Sequence, residues 1–69
     1  MPETIGDRIK YLRERHDMTR TALAKLTYIN RTTISRWESG EAAPRVDDIA
    51  RLSQIFNVSC DYIIKGNNE

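Results

Sequence analysis

The sequence contains few of the residues that hold small folds together covalently or cross membranes. Its single cysteine, Cys60, cannot form a disulfide within the chain, and no second cysteine or group of histidines is present to complete a zinc site. No hydrophobic run is longer than Tyr62 to Ile64, far short of the roughly 20 residues of a membrane span. The first residues include Glu3, Asp7 and Arg8, unlike a signal peptide. We therefore expect a soluble, cytoplasmic protein that uses no metal or other cofactor.

The chain is also too short for much more than one core. A domain of 69 residues buries only about 60% of the surface that its unfolded chain exposes. An active site would have to be formed from that same core, and no combination of nucleophile, base and oxyanion donor stands out. We therefore predict a single domain, residues 1–69, that acts as a binding module and not as an enzyme.

The formal net charge of +1 hides an uneven distribution of charge. Residues 18–37 contain four basic residues, Arg20, Lys25, Arg31 and Arg36, and no acidic residue. Residues 38–69 contain three basic and six acidic residues. A cationic segment in an otherwise neutral or acidic chain is typical of a surface that meets phosphates. The alternative is an ordinary solvated face, which would usually mix the two signs.

Apolar residues recur at helical spacing in the first half of the chain. The first predicted helix runs from about Ile5 to His16 with Thr4 as its N-cap. Thr19 caps a second helix, about 20–27, whose inward positions are Leu23, Ala24 and Thr27. Asn30 caps a third helix, about 31–39, which Gly40 ends.

The second half of the chain predicts two further helices after a loop that contains Pro44. The fourth helix carries an inward repeat of Val46, Ile49, Leu52 or Ser53, and Phe56. Ser59 caps a short fifth helix that ends at Lys65, before Gly66. No stretch alternates with a period of two for long enough to indicate a strand. The fold class that we predict is therefore all-α, a compact bundle of five helices.

The third predicted helix has two different faces. At 100° per residue, Thr33, Ile34, Trp37 and Glu38 lie on one side. The opposite side holds two arginines and two hydroxyl residues, namely Arg31, Thr32, Ser35 and Arg36. Arginine can bind guanine bidentately in the major groove, and hydroxyl groups suit base edges or phosphates. This face therefore favours reading of double-stranded DNA.

The segment from Met18 to Gly40 resembles the helix-turn-helix of the phage repressor and Cro-like (Xre) family. The resemblance rests on Leu23-Ala24, Ile29, Ile34-Ser35-Arg36-Trp37-Glu38, Gly40 and Pro44 at the family's spacing, and it extends to 9–13 and 58–64. It implies a lambda-repressor-like domain in which the second and third helices bind DNA. It also implies a transcriptional regulator, most often a repressor, that binds a palindromic operator as a homodimer.

The resemblance and the helix map together assign roles to individual residues. We expect base reading by Arg31, Thr32, Ser35 and Arg36. We expect phosphate contacts from residues at or near helix N-termini and from nearby cations, namely Arg20, Lys25, Asn30, Thr33 and Arg45. The family pattern further implies a structural ion pair between Arg13 and Glu38.

The sequence departs from the family pattern at three places. Arg20 replaces the usual Gln at a position that touches phosphate. Tyr28 replaces the Gly that is common in the turn, so that this residue must adopt a left-handed backbone or the turn must shift. The loop 41–43 lacks the basic residue of many relatives, which predicts modest non-specific affinity.

Several residues have both an ordinary and a functional interpretation. For Trp37 we favour the core over base stacking, and for His16 a helix-terminal charge over a ligand or catalytic base. Cys60 is interpreted as a small packing residue, with a regulatory thiol as the alternative. The run Tyr62 to Ile64 can serve the core or a dimer contact. At the level of function, the alternative to a regulator is an antitoxin-type protein-interaction module that binds DNA secondarily.

Overall fold

Four of the five helices begin where a polar side chain accepts a hydrogen bond from a backbone N–H group of the first turn. A computed structural model describes residues 2–67. Four predicted N-caps are confirmed, because the side chains of Thr4, Thr19, Asn30 and Ser59 each accept a hydrogen bond from the first turn that follows. The helices are α1 (Ile5–Arg15), α2 (Arg20–Thr27), α3 (Arg31–Ser39), α4 (Val46–Phe56) and α5 (Cys60–Lys65). No strand occurs within the described residues.

The helix ends also follow the predicted chemistry. Gly40 and Gly66 adopt left-handed backbones at the ends of α3 and α5, with φ of 86° and 79°. The first helix ends one residue earlier than predicted, and His16 is its C-cap. Arg45 is the N-cap of α4 but the capping carboxylate belongs to Asp48, which accepts a hydrogen bond from the Arg45 backbone N–H at 2.9 Å.

All five helices contribute to one hydrophobic core. α1 packs against α3 and α5, α2 packs against α3 and α4, and α4 packs against α5. The buried hydrophobic side chains are Ile9, Leu12, Leu23, Ile34, Trp37, Ile49, Leu52, Phe56, Tyr62 and Ile63. The choice between Leu52 and Ser53 is thereby settled in favour of Leu52. None of the helices in the described part of the chain has the length and apolar character needed to cross a bilayer.

Two burial predictions, for Val46 and Cys60, are corrected, and the open choice for the run Tyr62 to Ile64 is decided mostly in favour of the core. Val46 begins α4 but is 82% exposed, and the buried residues of this helix start at Ile49. Cys60 is exposed in the first turn of α5 and is not a packing residue. Within the run Tyr62 to Ile64, the first two side chains are buried, and only Ile64 is substantially exposed, at 43%. Most of the apolar surface that suggested a dimer contact is therefore core.

The crossing of α1 over α3 sets the position of the third helix. Gly6 is buried, and a Cβ atom there would overlap the backbone carbonyl oxygen of Trp37. The absence of a side chain at Gly6 lets the N-terminal turn of α1 lie directly on the C-terminal turn of α3. On the other side of the core, the Arg8 guanidinium is buried and donates to the carbonyl oxygens of Ile63 and Ile64, at 2.8 Å each.

Candidate nucleic-acid interface

The turn between α2 and α3 keeps the left-handed backbone for which glycine is suited, although a tyrosine occupies it. Tyr28 has φ of 58° and ψ of 28°, and its side chain is 94% exposed. A left-handed backbone costs a residue with a Cβ roughly 1–2 kcal/mol. Thr27 stabilises the turn, because its hydroxyl donates to Leu23 O at 2.8 Å and accepts from Ile29 N at 3.3 Å. The turn is therefore strained but not shifted.

A cation from α4 further supports this turn. Arg51 donates from Nη1 to the backbone carbonyl oxygen of Thr27, at 2.7 Å. The bond satisfies a carbonyl at the end of α2, where the helix has no further N–H to offer. No sequence pattern indicates Arg51, since a contact over 24 residues leaves no local signal.

The rotation of α3 about its axis is fixed by two core residues. Ile34 is fully buried and Trp37 is 3% exposed, so Trp37 is a core residue and offers no surface for base stacking. Arg31, Thr32 and Arg36 are exposed, and Ser35 is half-buried. The structure thus brings the four predicted base-reading residues onto one outward face of α3.

The predicted phosphate contacts differ in their exposure. Lys25, Asn30 and Arg45 are exposed, whereas Arg20 and Thr33 are half-buried. The Oδ1 atom of Asn30 is occupied, because it accepts from Thr32 N at 2.8 Å. Its amide nitrogen remains the group with which it could meet a phosphate. These phosphate contacts stay predictions.

A buried carboxylate, Glu38, joins α3 to the first two helices. Oε2 accepts from Arg13 Nε at 2.7 Å, and Oε1 accepts from Arg13 Nη2 at 3.1 Å. Oε1 also accepts from Arg20 Nε at 3.0 Å. The side chain of Glu38 is only 3% exposed. Arg13 and Glu38 thus form the pair that the family pattern implied, and Arg20 is a third member that the sequence did not indicate.

The Arg13 side chain is buried and hydrogen-bonded within the protein. It is 9% exposed, and Nη1 donates to Met18 O at 2.8 Å in addition to the two bonds to Glu38. The hydrogen bond to Glu38 raises the pKa of Arg13 above its ordinary value, with burial acting in the opposite direction. Arg13 therefore remains charged, and the pair is structural.

An acidic residue lies beside the outward face of α3. Glu41 Oε2 is 4.0 Å from Arg36 Nε, and both side chains are more than half exposed. Because the two groups are solvated, this contact is weak, but a DNA ligand of Arg36 would have to compete with it. The predicted face contains no acid within the helix itself, and Glu41 reaches it only through the fold of the following loop. Within residues 2–67 no cluster of potential metal ligands occurs.

Comparison with known proteins agrees with this geometry. A family model described as helix-turn-helix matches residues 9–63, which is most of the chain. The chain belongs to this family.

Three relatives illustrate the range of proteins that carry the domain. The chain is 33% identical over 66 residues to the transcriptional regulator DicA of Escherichia coli, covering 96% of this chain and 49% of DicA. It is 40% identical over 55 residues to the antitoxin PezA of Streptococcus pneumoniae, covering 80% of this chain and 35% of PezA. The crystal structure of the P22 c2 repressor in complex with a synthetic operator superimposes with a TM-score of 0.88 at 31% identity, covering 94% of this chain and 98% of that chain. This chain thus spans less than half of the curated DicA and PezA sequences.

Proposed function

We propose that residues 1–69 form one domain that binds double-stranded DNA in the major groove and reads a specific operator. The domain would act as a transcriptional regulator, and its role would be that of a repressor. The observation that carries the proposal is the outward face of α3, where Arg31, Thr32 and Arg36 are exposed next to a helix side fixed in the core by Ile34 and Trp37. Such a helix can enter the major groove without loss of its packing. The P22 c2 repressor, which has this fold, was solved on operator DNA.

The electrostatic arrangement supports the same function. Residues 18–37 hold four cations and no acid, and they coincide with α2, the turn and most of α3. Phosphate neutralisation by such residues supplies most non-specific affinity and makes it dependent on salt. Arg45 adds a further exposed cation at the N-terminus of α4. We place the protein in the cytoplasm, where the DNA would be, and assign it a binding role and not a catalytic one.

A homodimer on a palindromic site is part of the proposal. It rests on membership of the helix-turn-helix family. The exposed apolar surface of the monomer contributes less to the argument. The exposed apolar side chains include Val46, at 82%, and Ile64, at 43%. Two copies related by a two-fold axis would place their recognition helices one turn of DNA apart, about 34 Å.

A comparison of two arginine variants tests the assignment of roles. Arg36→Ala should cost about 1–3 kcal/mol on the preferred site and flatten preference at one base pair per half-site. Arg20→Ala should weaken binding to all duplexes and reduce the salt slope by about one unit without changing the preferred sequence. Binding of both variants to the preferred duplex, to single-base variants and to random duplex over a salt series measures this. If Arg36→Ala weakens every duplex equally, the proposed reading face is wrong.

The likeness to PezA favours a second candidate function, a module that binds a partner protein and contacts DNA secondarily. The purified chain distinguishes the two functions. A regulator of the proposed kind should discriminate between DNA sequences without any other protein. Binding that is equally weak on every duplex at physiological salt would favour the interaction module.

A further inference from the structure

Arg20 is bonded to the protein through one side-chain nitrogen and remains partly exposed. Its Nε atom donates to Glu38 Oε1 at 3.0 Å, and its side chain is still 38% exposed. The guanidinium group has two further nitrogens, and within the described residues no hydrogen bond involves them. One edge of Arg20 is therefore fixed by the protein, and the remaining donors are available to a ligand.

Glu38 is itself buried and hydrogen-bonded through both carboxylate oxygens, which makes it an effective anchor. The two bonds from Arg13 fix both of its carboxylate oxygens, and Arg13 is in turn fixed by Met18 O. The anchor thus belongs to the close crossing of α1 and α3. Arg20, at the first position of α2, receives its orientation from this crossing through a single bond.

We propose that Glu38 is a positioning residue for DNA binding, which orients Arg20 so that its terminal nitrogens present their N–H groups to a DNA phosphate. The inference rests on the proposed function and deepens it. A free arginine side chain loses considerable rotamer freedom when it binds, and a side chain that is already ordered loses less. The guanidinium group suits this role because its planar fork donates in two directions at once.

The negative charge of Glu38 should weaken DNA binding, whereas its positioning of Arg20 should strengthen it. This difference in sign makes the proposal testable. A carboxylate near the interface repels phosphate, so its neutralisation alone should leave DNA affinity unchanged or increase it. Only an effect that is transmitted through Arg20 makes the loss of Glu38 weaken binding. The two contributions separate in a double-mutant cycle.

The cycle compares the parent chain, Arg20→Ala, Glu38→Gln and the double variant on the same duplex over a salt series. We expect Glu38→Gln to raise Kd about 2- to 10-fold in the parent, the range expected for loss of one pre-ordered side chain. In the Arg20→Ala background the same change should leave Kd unchanged or lower it. Glu41→Gln is the matched control, because it removes an exposed carboxylate that does not contact Arg20, and its effect should be equal in both backgrounds.

Arg20→Lys provides a test that does not disturb the buried carboxylate, should Glu38→Gln fail to fold. Lysine keeps the charge but concentrates it at one atom, so that a bond to Glu38 leaves no second nitrogen to reach a phosphate, as the guanidinium group has. We expect its Kd to lie closer to that of Arg20→Ala than to that of the parent.

Three results would overturn the inference. An equal effect of Glu38→Gln in both Arg20 backgrounds would show that Glu38 acts only through the fold. A Kd for Arg20→Lys near that of the parent, with an unchanged salt slope, would show that charge alone suffices. A parent chain that binds no duplex would refute the proposed function itself, and the inference with it.

Discussion

Replacement of Glu38 by alanine provides the sharpest test of how the fold is held together. The carboxylate is 3% exposed and accepts three hydrogen bonds from two arginines. Its removal leaves Arg13, at 9% exposure, without its ion pair, and within residues 2–67 the Met18 carbonyl is its one remaining hydrogen-bond partner. Arg20 loses its bond as well but keeps contact with water. The variant therefore buries an uncompensated cation where α1 crosses α3.

The expected loss is a large part of the total stability. Removal of one partner from a buried ion pair costs about 3–5 kcal/mol, and the exposure of Arg20 argues for the lower end, about 3 kcal/mol. A domain of 69 residues has a free energy of unfolding of about 3–10 kcal/mol. With a urea m-value of about 1 kcal/mol/M for so short a chain, the midpoint should fall by about 3 M.

Glu41→Ala is the control, because it removes the same side chain from a solvated position. Glu41 is 70% exposed and lies 4.0 Å from its nearest cation, so its loss should change stability by less than about 0.5 kcal/mol. Urea unfolding followed by far-UV circular dichroism measures both variants. A loss of structure in Glu38→Ala without denaturant agrees with the expectation, whereas equal midpoints for the two variants would refute the buried network.

Three glycine and turn variants test the backbone. Gly6→Ala should lower the thermal midpoint markedly, since its methyl group overlaps the Trp37 carbonyl and overpacking costs about 1–3 kcal/mol or more; an unchanged midpoint would contradict this helix crossing. Tyr28→Gly should stabilise the chain by about 1 kcal/mol, equivalent to about 4–8 °C, by relieving the left-handed strain, and a fall would refute that strain. Gly40→Ala, which meets no atom within 4 Å, should cost about 1 kcal/mol from backbone strain alone, and a neutral effect would argue against it.

The helix boundaries could be predicted from the sequence because capping is local. Thr4, Thr19, Asn30 and Ser59 bond to backbone groups two or three residues away, so the cap and its partner lie within one short segment. The outward face of α3 could be predicted for a related reason, since periodicity places Ile34 and Trp37 on the core side whatever the rest of the chain does.

Burial near helix ends could not be predicted in this way. Val46 and Cys60 stand in first turns, where exposure depends on how far the neighbouring helix extends. Periodicity alone gave the wrong side for Val46. Arg8 is the opposite case, a charged residue that is buried. Its exposure is only 5%, because backbone carbonyl oxygens at the end of α5 accept hydrogen bonds from its guanidinium group.

Sequence patterns predicted those features of the site that lie within one helix, and they did not predict two contacts between different elements. The contact of Arg20 with Glu38 spans 18 residues and joins the start of α2 to the end of α3. The approach of Glu41 to Arg36 depends on how the loop after Gly40 folds back. Both contacts change the interpretation of a predicted DNA-binding arginine, and neither has a pattern in the sequence that would have revealed it.

Selection of bound sites from a random duplex library tests the central claim most directly. The purified chain should enrich one family of sequences that are inverted repeats, with half-site centres about 10 base pairs apart. The affinity for the selected sites should weaken as salt is raised, because binding of the cations of α2 and α3 to phosphates releases counterions from the DNA. An unenriched library at physiological salt, or a consistently asymmetric single site, would contradict the account of a two-fold DNA-reading domain.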